Sequence, residues 1–326
     1  MKLQILITQF TETDKIIKPL LDSIAIQQNV DFDEVGVIIV NDGSNTFLTD
    51  KFLESYPFNI VYHKEPHRGV SGARNALLGY AVADYVMFCD ADDMFLSVCG
   101  LYSIFLNIEA GFDSLNSTFI EEALNNYDGS KVYVSHENDS TFIHGKVHRR
   151  QYLIDNDIRW KEELTIHEDS YFNIQCQNFS PNVRYCDTPF YLWRWRNGSV
   201  CRSDRKFLMK TYDKLIDSND ALIDEFVKRG IMDKAMYFVC YMVFETYYTM
   251  NKPDWLEDYR EKTEKRFAEY FAKHKYLWDA TPMWDKVKVS DEARKKVVSQ
   301  GMILEAITVF DWLEKITGEK QCLQEE

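Results

Sequence analysis

The sequence contains no C-x-x-C pair, and its seven cysteines, at 89, 99, 176, 186, 201, 240 and 322, are odd in number. Both points exclude a zinc ribbon or a disulfide scaffold and imply reduced thiols. No charged-then-apolar leader follows Met1, so no signal peptide is expected. No long apolar run is present either. The richest, AMYFVCYMVF from Ala235 to Phe244, falls far short of the about 20 residues of a spanning helix. It reads as a buried core helix, with contact to a membrane surface or a second subunit as the alternative. Cationic excess is missing as well: 38 Lys and Arg face 52 Asp and Glu, a net charge of −14. Residues 1–202 hold 17 basic against 28 acidic side chains, and residues 203–326 hold 21 against 24. An acidic half of this kind attracts divalent metal and disfavours nucleic acid as a partner. These absences together describe a cytoplasmic chain, with the inner face of the membrane as the alternative location.

What is present is most informative at YVMFCDADD, Tyr85 to Asp93, where strand-forming residues run straight into three carboxylates. Asp90 and Asp92, two apart at a strand end, suit a hard divalent cation with open positions for a diphosphate. A strand ending in an acidic turn is also common surface architecture, so the surrounding order decides. MKLQILIT at Met1 to Thr8 and VGVIIVNDGSN at Val35 to Asn45 read as buried parallel strands. Between them Asp14 to Gln28 carries apolar residues at helical spacing. A strand at Asn59 to His63 and a helix from about Ser71 to Ala83 repeat the unit. Such alternation predicts an α/β fold with a mostly parallel sheet and ligands at the carboxyl ends of its strands. Asp42 then converges with Asp90 and Asp92 on one rim.

Six segments in order carry a resemblance to a known family. They are NDGS (Asn41 to Ser44), GVSGARN (Gly69 to Asn75), DADD (Asp90 to Asp93), HGKVHRRQYL (His144 to Leu153), HEDSYF (His167 to Phe172) and WRWRNGSV (Trp193 to Val200). Over roughly residues 1–202 the chain resembles the inverting nucleotide-sugar glycosyltransferases of family 2, with the A-type nucleotide-binding fold. The resemblance implies that Asp42 contacts the nucleobase and that Arg74 lies near the nucleotide. It implies that Asp90 and Asp92 bind Mn²⁺ or Mg²⁺ across the diphosphate, and that Asp169 is the general base. Thr8, Phe10, Ala91 and Lys146 are assigned with them to nucleotide-sugar binding, while Glu168, Trp193, Arg194 and Ser199 are assigned to acceptor or loop contacts. A single in-line displacement needs one base and no covalent nucleophile, so the anomeric configuration inverts. The family often has P-x-Y-N after the first strand, where this chain has Thr8-Gln9-Phe10-Thr11. Uridine remains the expected nucleoside.

The residues leave some roles open. His144 is a candidate metal ligand or a hydrogen-bonding group. Lys146, Arg149 and Arg150 are a solvated helix start or a holder of diphosphate or an anionic acceptor. Asp169 opens a helix whose exposed N–H groups are expected to keep its pKa low. In PFYLWRW, Phe190 and Leu192 read as filling between domains, and Trp193 and Trp195 as ligand or loop contacts. Cys99 to Ala110 reads as a helix, and Ser114 to Glu122 with Lys131 to His136 as a hairpin that shapes an acceptor site.

Beyond about Arg202 the spacing predicts a helical domain over residues 203–326, with helices at Phe207 to Arg229, Lys234 to Met250, Trp255 to Tyr276 and Ser290 to Ile316. A homo-oligomer through these helices is a further expectation. The functional expectation is transfer of a sugar from a UDP-sugar to a hydroxyl of a glycan or wall-polymer acceptor. A non-catalytic nucleotide-sugar or glycan-binding module is the alternative. A D-x-D phosphatase is the remaining rival, disfavoured because Met94 stands two residues past the second Asp where Thr or Val is usual.

Overall fold

The computed structural model describes residues 1–125, 127–197, 206–252, 254–298 and 308–318. The chain separates into two compact units, Met1–Ser199 and Val200–Glu326. The expected boundary at 202/203 lies outside the described residues.

The first unit is a mixed sheet of nine strands: β1 Leu3–Gln9, β2 Val35–Asp42, β3 Asn59–Glu65, β4 Tyr85–Asp90, β5 Met94–Phe95, β6 Ser114–Leu124, β7 Lys131–His136, β8 Lys146–Arg149 and β9 Val183–Trp193. Its helices are α1 Asp14–Ala25, α2 Asp50–Leu53, α3 Gly69–Tyr80, α4 Gly100–Ala110, α5 Arg150–Asp155 and α6 Glu168–Asn178. The strand order is β3-β2-β1-β4-β8-β6-β9-β5, with β7 paired to β6.

The first four strands in that order are parallel, which explains their near-continuous apolar sequences. Alternation sends Leu3, Ile5 and Ile7 to one face with Val37, Ile39 and Met87, under Ile17, Leu20 and Ile24 of α1. Leu6, Ile38, Val40, Val86 and Phe88 face the other side, against Ala73, Leu77 and Leu78 of α3 and Phe172 of α6. Each large apolar side chain taken from water contributes roughly 1.5–3 kcal/mol, so both faces hold the sheet between helices. From β3 the chain returns across β2 and β1 to enter β4, placing the reversal of strand order between β1 and β4. The carboxyl ends beside that reversal are the usual place for a ligand in such sheets. Thr8 lies opposite Asp90 in register at that point.

The rest of the sheet departs from the parallel pattern. β8 runs antiparallel to β4 and to β6, and β6 with β7 forms the expected hairpin. β9 pairs with β6 in parallel, with a register shift between Ser117 and Phe119. Pro189 sits in the slack that this shift leaves in β9, where a missing N–H costs least. Phe190 belongs to the core of this unit, stacked near Phe95.

The second unit is helical: α7 Phe207–Lys210, α8 Tyr212–Lys228, α9 Met232–Met250, α10 Arg260–Ala280, α11 Met283–Val298 and α12 Val309–Thr317. The helix expected over Ser290 to Ile316 is instead parts of α11 and α12. Val239, Val243 and Phe244 of the apolar run are buried within α9. No described helix is long and apolar enough to cross a membrane.

Candidate active site at the carboxyl ends of β1, β2 and β4

Asp42 closes β2 and is 5 % exposed. Its carboxylate accepts the Arg68 N–H at 2.8 Å and lies 2.9 Å from His67 Nδ1. His67 in turn stacks on Phe10, with ring centroids 5.0 Å apart, and both rings stay solvent-accessible. Gly43 makes this approach possible. Its φ is +74°, and a Cβ there would stand 2.4 Å from the His67 nitrogen. Beneath the rim, Gln9 donates to the carbonyls of Glu12 at 2.8 Å and Thr46 at 3.0 Å, which ties the β1 and β2 loops together.

Arg74 is the centre of the second group. Its side chain is buried in α3, and its guanidinium reaches Asp90 at 3.1 Å, Glu168 at 3.2 Å and Asp169 at 2.6 Å. The same group lies 4.4 Å from the Trp160 ring centroid, which fixes its plane. Burial opposes the charge, but Asp169, Asp90 and Glu168 outweigh it and hold the Arg74 pKa above its ordinary value. Asp169 Oδ2 also accepts the Ile143 N–H at 3.3 Å. Asp169 does sit in the first turn of α6, behind His167 in a left-handed conformation with φ 60°. The low pKa expected there is not found: burial pushes Asp169 up, with Arg74 pulling against it. Glu168 is pushed up to about 7 by burial and then by the Asp169 charge.

The DADD turn holds the third group. Asp92 Oδ2 lies 2.9 Å from Arg196 Nε, and Arg196 Nη1 reaches Glu12 at 3.1 Å. Asp93 is fully buried and accepts the Tyr191 hydroxyl at 2.6 Å and the Arg194 N–H at 2.9 Å. His144 Nδ1 lies 3.6 Å from the same carboxylate. Burial first, then the charges of Asp90 and Asp92, push Asp93 well above the usual carboxylate range. Burial and Asp90 likewise raise Asp92 against the pull of Arg196. Ligand atoms of Asp90, Asp93 and His144 fall within 4.8 Å of one another, close enough to share one ion. Carboxylate oxygens with one imidazole are suitable donors for Mn²⁺ or Mg²⁺, so the residues fit a divalent cation.

The structure therefore brings Thr8, Phe10, Asp42, Arg74, Asp90, Asp92, Glu168 and Asp169 to one rim. Ala91 is buried under the turn. Lys146 is placed differently from the solvated helix start that its neighbours suggested. It lies in β8, 1 % exposed, with its ammonium donating to the Phe142 carbonyl, and burial lowers its pKa to about 8. Arg149 pairs with Asp113. Trp193 is half-buried against Phe142 and His144, each 4.8 Å away by ring centroids. Arg194 donates to the Asp92 carbonyl at 3.2 Å. Ser199 lies outside the described residues.

Sequence reasoning missed four participants: Glu12, His67, Asp93 and Arg196. His67 lay two residues before a segment already singled out, and Asp93 and Arg196 each stood inside one. Glu12 carried no local signal.

A parallel half-sheet with acids at its switch point, buttressed by one buried arginine, has the architecture of an A-type glycosyltransferase fold. Residues 4–144 match the family model described as glycosyl transferase family 2, and over that stretch the chain carries a glycosyltransferase domain of family 2 type. Among curated relatives, GgaB of Bacillus subtilis (strain 168), a minor teichoic acid biosynthesis protein, is 40 % identical over 72 residues. That match covers 21 % of this chain and 8 % of GgaB. EpsH of the same organism, a putative glycosyltransferase by its description, is 25 % identical over 235 residues, 65 % of this chain and 67 % of EpsH. Among solved structures, S. aureus TarS 1-349 in complex with UDP-GlcNAc superposes with a TM-score of 0.64 at 16 % identity, covering 92 % of this chain and 93 % of that one. At that identity the likeness speaks for the fold alone.

Proposed function

We propose that the chain is an inverting, metal-dependent glycosyltransferase that moves a sugar from a UDP-sugar to a hydroxyl of a glycan or wall-polymer acceptor. The observation that carries this reading is the Arg74 bridge: one guanidinium touches Asp90 of the DADD turn and Asp169 of α6. The diphosphate end and the proton-accepting end of a displacement are thereby one side chain apart.

Asp42 with the Phe10 and His67 rings receives the nucleobase. Asp90 and Asp92 hold the metal, with His144 and Asp93 behind them. Bound there, a divalent cation supplies the positive charge that a departing nucleoside diphosphate needs. Asp169 accepts the proton of the attacking hydroxyl, and its raised pKa makes it a better base than an exposed carboxylate. Arg74 keeps the Asp169 carboxylate oriented. Glu168 and Trp193, with Arg194, border the acceptor side. The wall-polymer class draws support from GgaB, and UDP-GlcNAc from TarS, each by its own description. The functional division is placed at 202/203, with the helical part serving self-association or contact with a membrane surface.

Incubation with a set of UDP-sugars, MnCl₂ and wall-polymer fragments, followed by release of UDP, tests the reading. Acceptor-stimulated UDP release is the expected result. Release of inorganic phosphate alone would indicate phosphatase chemistry, and binding with no release would indicate a non-catalytic module.

A further inference from the structure

We propose that Arg196 is a built-in counter-ion for the DADD turn, holding Asp92 until metal and nucleotide arrive and then passing to the diphosphate. This deepens the reading of Asp90 and Asp92 as the metal-holding pair and rests on it.

Arg74 and Arg196 both pair with carboxylates of that turn, and they are held very differently. Arg74 is buried, tied to three carboxylates and stacked on Trp160, so it has no freedom to leave. Arg196 is 37 % exposed at its side chain and, among the described residues, bridges Asp92 and Glu12, which come from separate loops. Its backbone approach is anchored two residues earlier, where the Arg194 N–H binds Asp93 and its guanidinium binds the Asp92 carbonyl. The Arg196 side chain can change partners while the strand end stays in place.

The charges give the direction of the exchange. With a divalent cation held by Asp92, the neutralisation that Arg196 provides would be redundant and its guanidinium would be repelled. The freed fork would then suit two oxygens of a diphosphate, a partner it fits in bidentate geometry. Arg196 therefore opposes metal in the empty site and favours nucleotide in the metal-loaded one. Metal and nucleotide become coupled, each raising the affinity of the other.

The test is calorimetry with MnCl₂ alone, and with UDP in the presence of saturating MnCl₂, on the full chain. Arg196→Gln is expected to bind Mn²⁺ alone at least about fivefold more tightly than wild type, the lower edge of usual coupling. The same variant is expected to bind UDP with Mn²⁺ more weakly. Arg196→Lys, which keeps the charge without the fork, is expected to retain weak Mn²⁺ binding and lose UDP affinity. Unchanged Mn²⁺ affinity in both variants would overturn the exchange while leaving the metal pair standing. No Mn²⁺ binding in any of the three proteins, with or without UDP, would overturn the metal reading itself.

Discussion

Arg74 and Asp169 are 95 positions apart in sequence and 2.6 Å apart in the folded chain. That contact closes α3 onto α6 and converts two separate sequence motifs into one site. Removing either partner leaves the other buried with less compensation, so each substitution acts on both folding and chemistry. The choice of replacement must separate the two.

Asp169→Asn keeps size and hydrogen-bonding reach while removing the basic charge. Acceptor-dependent transfer is expected to fall by about 10²-fold or more, the usual contribution of a positioned base. UDP affinity is expected to stay near wild type. Near-normal turnover with the true acceptor would move the role to Glu168.

Asp92→Asn removes a metal-holding oxygen and the partner of Arg196 from a half-buried turn. UDP binding measured with Mn²⁺ is expected to drop strongly, and EDTA is expected to have little further effect. The melting temperature should change little, because burial already opposes the Asp92 charge, so removing that charge offsets much of the lost pairing with the partly exposed Arg196. Equal UDP affinity of the wild type with and without EDTA would contradict the assignment.

Asp42 and His67 are expected to set the base preference. UDP should bind better than CDP, since a carboxylate accepts the imide N–H that uracil has and cytosine lacks. Asp42→Ala should erase the preference and destabilise the fold by about 1–3 kcal/mol, because the Arg68 N–H loses its partner. Tighter binding of CDP by the wild type would place the base elsewhere.

Gly43→Ala tests the same rim through the backbone. The positive φ and the 2.4 Å approach to His67 predict a loss of at least about 1 kcal/mol with weakened UDP binding. Thermal unfolding and calorimetry on one preparation would measure both.

Glu168 gives a pH signature. Its folded pKa is raised from 4.5 to about 7, so the folded chain holds a proton that the unfolded chain has released. Stability therefore falls as pH climbs between those values, and the loss is complete above about 7. Glu168→Gln should raise the melting temperature at pH 8, by an amount corresponding to no more than about 3 kcal/mol, and leave it unchanged at pH 4. A stabilisation of equal size at both pH values would refute the burial account.

The parallel half of the fold was readable because both faces of β1, β2 and β4 are covered, and their apolar runs announce it. Asp42 and Asp90 followed from where those runs end. β9 was not readable, because Pro189 and several polar residues break its pattern and its register is set by β6, which is distant in sequence. Lys146 misled for a related reason. A cation beside Arg149 and Arg150 looks solvated until the fold surrounds it with carbonyls. The pairing of Arg196 with Glu12 spans 184 positions and leaves no trace in either local sequence. The break between α11 and α12 was hidden by apolar spacing that continues across it.

The hairpin of β6 and β7 hangs from the strand path, since β7 pairs with β6 and lies off the order that carries the rim. Its length can therefore vary without shifting the alignment of Thr8 with Asp90. Lengthening, shortening or exchanging the loop at residues 125–130 is thus a route to chains that keep one donor chemistry while meeting different surfaces beside it. The sheet separates what has to stay fixed from what is free to diverge.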